Sequence, residues 1–154
     1  MREILFRGKD EQGQWQYGNL VRYTEDDGEQ VTCIVSTARS EISAEVVFVP
    51  VDEKTVGPFT GFIDSKGARI YDGDIIQVNG RPYHQIKWLD EIGGFGTCNL
   101  VSKRELQRWP DRCLFNIPAQ DWWKDFKREI VVVGNVYDNP DYLEKFVEPI
   151  KKED

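Results

Sequence analysis

The chain predicts a mainly β fold, all-β or α+β, in which small antiparallel strands form an SH3-like or related β-barrel core and one to three short helices follow toward the C-terminus. Three observations carry the prediction. Aromatics make up 12% of the 154 residues, with eight Phe, six Tyr and five Trp, which favours sheet over helix and an aromatic-rich core. Short apolar or alternating runs are punctuated by turns containing Asp and Gly. Helix-start signals occur only beyond residue 101.

Taken in order, ILFRGK (Ile4 to Lys9) begins as an apolar run. DEQG (Asp10 to Gly13) then supplies Asp first and Gly last, the preferred ends of a type I turn, so a hairpin follows. Its return strand spans Trp15 to Tyr23, and EDDGEQ (Glu25 to Gln30) is the next polar turn. VTCIVS (Val31 to Ser36) reads as a strand, TARSEISAE (Thr37 to Glu45) lacks any sustained period and reads as a loop, and VVFVPV (Val46 to Val51) is a short strand ended by Pro50. Three small strands follow, FTGFI, ARI and DIIQV, joined by DSKG and YDG. In RPYHQIKWL (Arg81 to Leu89) the residues His84, Ile86 and Trp88 alternate with Tyr83, Gln85 and Lys87, so the face bearing the histidine reads as buried.

After a flexible GGFG (Gly93 to Gly96), SKRELQRW (Ser102 to Trp109) has an N-cap Ser with Glu105 three residues on, the capping-box pattern of a short helix ended by Pro110. QDWWKDFK can hold a second helical turn, with Trp122 and Phe126 four apart. EIVVVGNVY (Glu129 to Tyr137) is the clearest strand. In NPDYLEKF, Asn139 caps a last helix over 139–148 and Pro140 takes its first position. The organisation is one domain over 1–154, divisible into an N-terminal β subdomain 1–58, a β-barrel subdomain 59–138 and the C-terminal helix. A chain this long can bury about two thirds of its unfolded surface without metals or disulfides.

Net charge is −7, a sign that repels phosphate backbones unless basic residues are segregated. The densest basic patch, Lys103, Arg104, Arg108 and Arg112, is interrupted by Glu105 and Asp111 and reads first as a solvated face. Cys33, Cys98 and Cys113 have neither disulfide-framework nor zinc spacing, which points to a reducing compartment. The opening MREILFRGKD is too polar for a signal peptide and no apolar run approaches the roughly 18 residues needed to span a bilayer, so the expectation is a cytoplasmic protein without a membrane partner.

The stretch TGFIDSKGARIYDGDIIQV (Thr60 to Val78) places Asp64, Asp72 and Asp74 among glycine turns. A calcium loop needs oxygens at alternate positions and a closing Glu, which DSKGARIYDGD lacks, and turn chemistry accounts for all three aspartates. We therefore read Asp10, Gly13, Asp64, Gly67, Asp72, Gly73 and Asp74 as structural turn residues, with no catalytic, metal or cofactor site. His84 is the only histidine and reads as a hydrogen-bonded, semi-buried side chain rather than a catalytic one. Walker, G-x-S-x-G and G-x-G-x-x-G motifs are absent. Trp109, Trp122, Trp123, Arg104 and Arg108 are candidate interface residues, because Trp122 and Trp123 cannot both face inward on one helix.

There is also an internal echo. FRGKDEQGQWQYGNLV and FTGFIDSKGARIYDGDII share a D-x-x-G element followed by Tyr and Gly at near-equal spacing, explained equally by reuse of hairpin turns or by duplication.

The opening MREILFRGKDEQGQWQYGNLV, the central TVGPFTGFIDSKGARIYDGDIIQV and the closing VVVGNVYDNPDYLE together resemble the YopX-like family of phage and prophage proteins. The resemblance implies a small, mainly β protein of uncharacterised activity in a bacterial host cell, and it supplies no catalytic residues. The functional expectation is a non-enzymatic accessory protein, self-associating and binding a phage or host protein. Alternatives are a nucleic-acid-binding barrel using Arg81, Lys87, Lys103, Arg104 and Arg108 with Trp88 or Trp109, an acidic DNA mimic that inhibits a host enzyme, and last a metal-dependent hydrolase using Asp64, Asp72 and Asp74.

Overall fold

The computed structural model describes residues 3–39, 44–90, 92–102, 117–118 and 129–147. These residues are mainly β, with one short helix. The chain divides into two compact units, Met1–Gly61 and Phe62–Asp154.

In the first unit, β1 (Phe6–Lys9), β2 (Trp15–Thr24), β3 (Gln30–Arg39), β4 (Ala44–Pro50) and β5 (Asp52–Ile63, whose end crosses into the second unit) lie in the order β4-β3-β2-β1-β5, with antiparallel pairing. The hairpin turns are three-residue loops closed by a left-handed glycine, Gly13 at φ +75° and Gly28 at φ +89°. The expected loop Thr37 to Glu45 is partly overturned. Thr37, Ala38 and Arg39 pair with Val46, Glu45 and Ala44, because a ladder continues wherever its register does, with or without a hydrophobic period. Strand β5 begins at Asp52, earlier than the expected FTGFI. Pro58 sits opposite Phe6 near the end of the β1 ladder, and the Phe59 amide beyond it donates to Leu5 O. Where the β1–β5 register shifts, the Thr55 hydroxyl accepts the Lys9 amide at 2.8 Å and donates to Asp52 O at 2.7 Å, so a side chain replaces the missing ladder bond.

In the second unit, the last residues of β5 turn into β6 (Arg69–Tyr71), followed by β7 (Asp74–Val78), β8 (Arg81–Leu89), β9 (Gly94–Asn99), β10 (Val101–Ser102), β11 (Ile117–Pro118), β12 (Ile130–Asn135), α1 (Pro140–Lys145) and β13 (Phe146–Val147). A five-stranded antiparallel sheet runs β11-β9-β8-β7-β12, and β10 pairs with β13. The flexible GGFG is a correction: Gly94 to Gly96 form the start of β9, opposite Leu89, Trp88 and Lys87, and Phe95 meets the Trp88 ring edge-on at 5.1 Å between centroids. Helix α1 starts at Pro140 but stops at Lys145, short of the expected residue 148, because Phe146 and Val147 are paired with Ser102 and Val101. Ser102 thus ends a strand. The remainder of the expected helix after it, and the helical turn in QDWWKDFK, lie outside the described residues.

One core cluster comprises Ile70, Ile76, Ile86, Phe95 and Ile130, flanked by Phe62, Val78 and Val132. Among the described residues it is isoleucine, not the expected aromatics, that dominates the deepest positions. The reading of β8 as buried on one face is also corrected: Gln85 and Leu89 are buried, as is Ile86 on the opposite face, whereas Trp88 is 46% exposed. Ile75 and Cys98, both in register with Gln85, flank it on the same face of the sheet and are buried with it.

Candidate functional site

The polar residues singled out in the sequence form tight turns, and the two most complete turns share one hydrogen-bond scheme. In Asp10 to Gln14, the Asp10 amide donates to Gln14 O at 3.0 Å and the Gly13 amide to Asp10 O at 2.9 Å. In Asp64 to Ala68, the Asp64 amide donates to Ala68 O at 2.8 Å and the Gly67 amide to Asp64 O at 3.1 Å. Oδ1 of each aspartate accepts the amides two and four residues ahead, Gln12 and Gln14 at 3.0 and 2.8 Å in one, Lys66 and Ala68 at 2.8 Å each in the other. A carboxylate gathers amides that the hairpin loop would otherwise leave to water. The Glu25 to Glu29 turn repeats the backbone bonds, with Asp27 Oδ1 accepting the Glu29 amide at 3.0 Å. This third turn lies outside the internal echo and has Glu25 in place of Asp at its first position, so the backbone turn recurs here without the D-x-x-G element. The echo also diverges structurally, since Gly18 is paired within β2 and Gly73 sits in a turn at φ +83°.

The two aspartates differ in their second oxygen. Asp10 is half-buried, and its Oδ2 accepts from the Gln16 side chain at 2.8 Å. The Gln14 amide foremost, with the Gln16 and Gln12 donors, holds its carboxyl below the usual range against the opposing effect of desolvation. Asp64 is only 6% exposed, and its Oδ2 accepts the Val132 amide on β12 at 3.1 Å. The next residue, Ser65, donates its amide to Ile130 O at 2.9 Å, so the loop grips β12 by two bonds.

Asp72 Oδ1 accepts the Trp88 amide at 3.0 Å, and Asp74 Oδ2, in a residue 1% exposed, accepts the Tyr71 amide at 2.7 Å. Gly73 between them donates to Ile86 O at 2.9 Å and accepts the Val136 amide at 3.0 Å. The β6–β7 turn is therefore wedged between β8 and the end of β12. There Asn135 and Asn139 form a second knot. Asn135 Oδ1 accepts the Tyr137 and Asp138 amides at 3.0 and 2.9 Å, and Asn135 Nδ2 donates to Asp138 Oδ2 at 2.8 Å. Asn139 Oδ1 turns back to accept the Asn135 amide at 3.2 Å. A Cβ on Gly134 would strike that same Asn139 side chain, which is why glycine precedes Asn135.

The three aspartates of the central stretch thus engage separate backbone segments, and among the described residues no three His, Cys, Asp or Glu side chains gather as a metal site. His84 is half-buried in register with Ile76 and Asn99. Trp88 donates its indole N–H to Asp90 at 3.1 Å. Lys103, Arg104, Arg108, Trp109, Trp122 and Trp123 lie outside the described residues. The sequence did not point to Arg7, which is buried with its guanidinium 4.5 Å from the centre of the Trp15 ring; alternation in so short a strand hides it.

A family model described as YopX protein matches residues 5–144. The chain belongs to the YopX family. The turns that form the two knots, Asp64 to Gly73 and Gly134 to Pro140, lie within the matched region. Among solved structures, this YopX-family chain is similar to protein EF1440 from Enterococcus faecalis, with a TM-score of 0.51 and 19% identity over 93% of this chain and 99% of that one. At that identity the likeness concerns the fold. A search of curated proteins returned no match. Among the described residues no helix is long and apolar enough to cross a membrane.

Proposed function

We propose that this YopX-family protein is a non-enzymatic phage or prophage accessory protein that acts in the bacterial cytoplasm by binding protein, as a homo-oligomer. The observation that supports this reading is the use to which the motif side chains are put. Asp64, Asp72, Asp74, Asn135 and Asn139 all accept backbone amides, so the residues that define the sequence motifs build the scaffold. Surface function then falls to other residues, and several large apolar side chains are exposed, among them Tyr17, Val46, Phe48 and Trp88. Multi-angle light scattering on the full chain tests self-association: a stable multimer at micromolar concentration is expected, and a monomer removes that part of the proposal.

A nucleic-acid role is the second reading, favoured by the exposure of Trp88 beside Lys87. Asp72 and Asp90, both bonded to Trp88, set two carboxylates where a phosphate backbone would pass and weigh against it. A mobility shift that weakens as salt rises would support it, and no shift at low salt would end it. The finer architecture, an SH3-like barrel around residues 59 to 101, is part of the same proposal. The meander β7 to β9 supports it, and an experimental structure with an open sheet would remove it.

A further inference from the structure

We infer that the free edge of β4 is the surface on which two copies of this chain join, by antiparallel pairing of β4 with β4 about a two-fold axis at Val47. The inference rests on the self-association proposed above and assigns it a place. Among the described residues strand β4 ends the sheet order of its unit, and it is exposed on both faces: Val46 at 61% and Phe48 at 56% on one, Val47 at 36% on the other. A strand open on both faces and along its edge is completed by another strand, which extends the ladder and covers both faces together.

The ladder itself says which groups are open. Val51 donates its amide to Thr32 O at 2.9 Å, so Thr32 and Val51 occupy a hydrogen-bonded position of the antiparallel register. Such positions alternate, so Val49 and Val47, opposite Ile34 and Ser36, turn their amides and carbonyls toward β3. Val46 and Phe48 turn theirs outward. Pro50 falls in the outward set too, where its missing N–H takes nothing from the β3 ladder.

A second copy fits this edge in one register that keeps all seven residues, Ala44–Pro50, paired. With the axis at Val47, Val46 of each copy lies opposite Phe48 of the other and the two exchange both backbone bonds. The β-branched and aromatic side chains then pair across the strands. Glu45, the one charged residue of AEVVFVP, falls opposite Val49 instead of another Glu45, so a chain of net charge −7 meets itself here without opposed carboxylates. Pro50, which has no N–H to donate, falls opposite Ala44 at the end of the paired segment, whereas moving the axis to Phe48 would leave only Val46 to Pro50 of each copy paired.

The test compares the full-length wild type with Val46→Lys and Phe48→Lys by sedimentation equilibrium, with far-UV circular dichroism on each variant. Both positions are exposed within one copy, so the fold should persist while the dissociation constant rises by about tenfold or more. Val47→Cys supplies a measurement that does not depend on the lysine variants. Residues facing each other at a non-hydrogen-bonded position have Cα atoms about 4.5 Å apart, within disulfide reach. Val47→Cys should therefore cross-link to its own copy under mild oxidation, well above the wild-type background, and Val46→Cys should not. A monomeric wild type overturns the self-association reading and this inference together. An oligomer unmoved by both lysine substitutions, or Val47→Cys linking no faster than Val46→Cys, overturns the β4 edge alone.

Discussion

Asp64 and Val132 stand 68 residues apart in sequence and are joined by a 3.1 Å hydrogen bond from the Val132 amide to Asp64 Oδ2. The same carboxylate holds its own loop through Lys66 and Ala68. A single buried side chain therefore fixes both the shape of a hairpin turn and the strand on which that turn rests. Neither task leaves the group directed at a substrate.

The twin turns give a prediction about pH. Asp10 has its carboxyl pKa lowered in the folded protein, so its contribution is fully present above the unfolded value of about 4 and is lost as the pH falls through the lower folded value. The stability difference between wild type and Asp10→Ala should be larger at pH 7 than at pH 2, as read by urea denaturation at the two pH values. An equal difference at both would show that the charge on Asp10 contributes nothing to its turn.

Glycine substitutions should rank by what a Cβ meets. Gly67 has φ +87° with open space around it, so Gly67→Ala should cost about 1 kcal/mol from backbone strain alone. Gly73 has φ +83°, and its Cβ would also lie 3.1 Å from the Tyr137 ring and 3.4 Å from Val136. Gly73→Ala should cost more, about 2 kcal/mol or above. Equilibrium unfolding of the two variants checks the order, and Gly67→Ala being the more damaging would contradict it.

The Gly134 and Asn139 contact predicts coupling. Gly134→Ala drives a methyl group into the Asn139 side chain, and Asn139→Ala removes both the obstacle and the bond to the Asn135 amide. The double variant should be destabilised by about 1 kcal/mol less than the sum of the two single changes. Additive losses in a double-mutant cycle would mean that the methyl group collides with something else.

Much of this fold can be read from local chemistry, and what cannot be read is long-range. The D-x-x-G turns announce themselves because Asp and Gly meet requirements within five residues. Strand β9 hides behind Gly93 to Gly96, since glycine carries no side-chain pattern, and its identity comes only from the partner β8. The early part of β5 is masked by Gly57 and Pro58, which read as a break until β1 is placed beside them. Thr37 to Arg39 lack alternation, yet the β3–β4 register carries them along. The bond from Val132 to Asp64 has no sequence signature, because a backbone amide donates whatever its side chain. The exposure of β4 was equally hidden, as VVFVP resembles any buried strand until its neighbours are counted.

The central claim is that the motif carboxylates are structural, and chemical denaturation of Asp64→Ala tests it most directly. Losing a buried acceptor of the Lys66, Ala68 and Val132 amides should lower the unfolding free energy by about 3 kcal/mol, since hydrogen bonds to a charged group contribute about 1.5 to 3 kcal/mol each and two of these amides can partly rehydrate. A residue held for chemistry behaves otherwise, because removing a functional carboxylate leaves stability unchanged or raised. Asp64→Ala unfolding at clearly lower denaturant than the wild type is the predicted result, and a midpoint equal to or above the wild-type value would contradict the account.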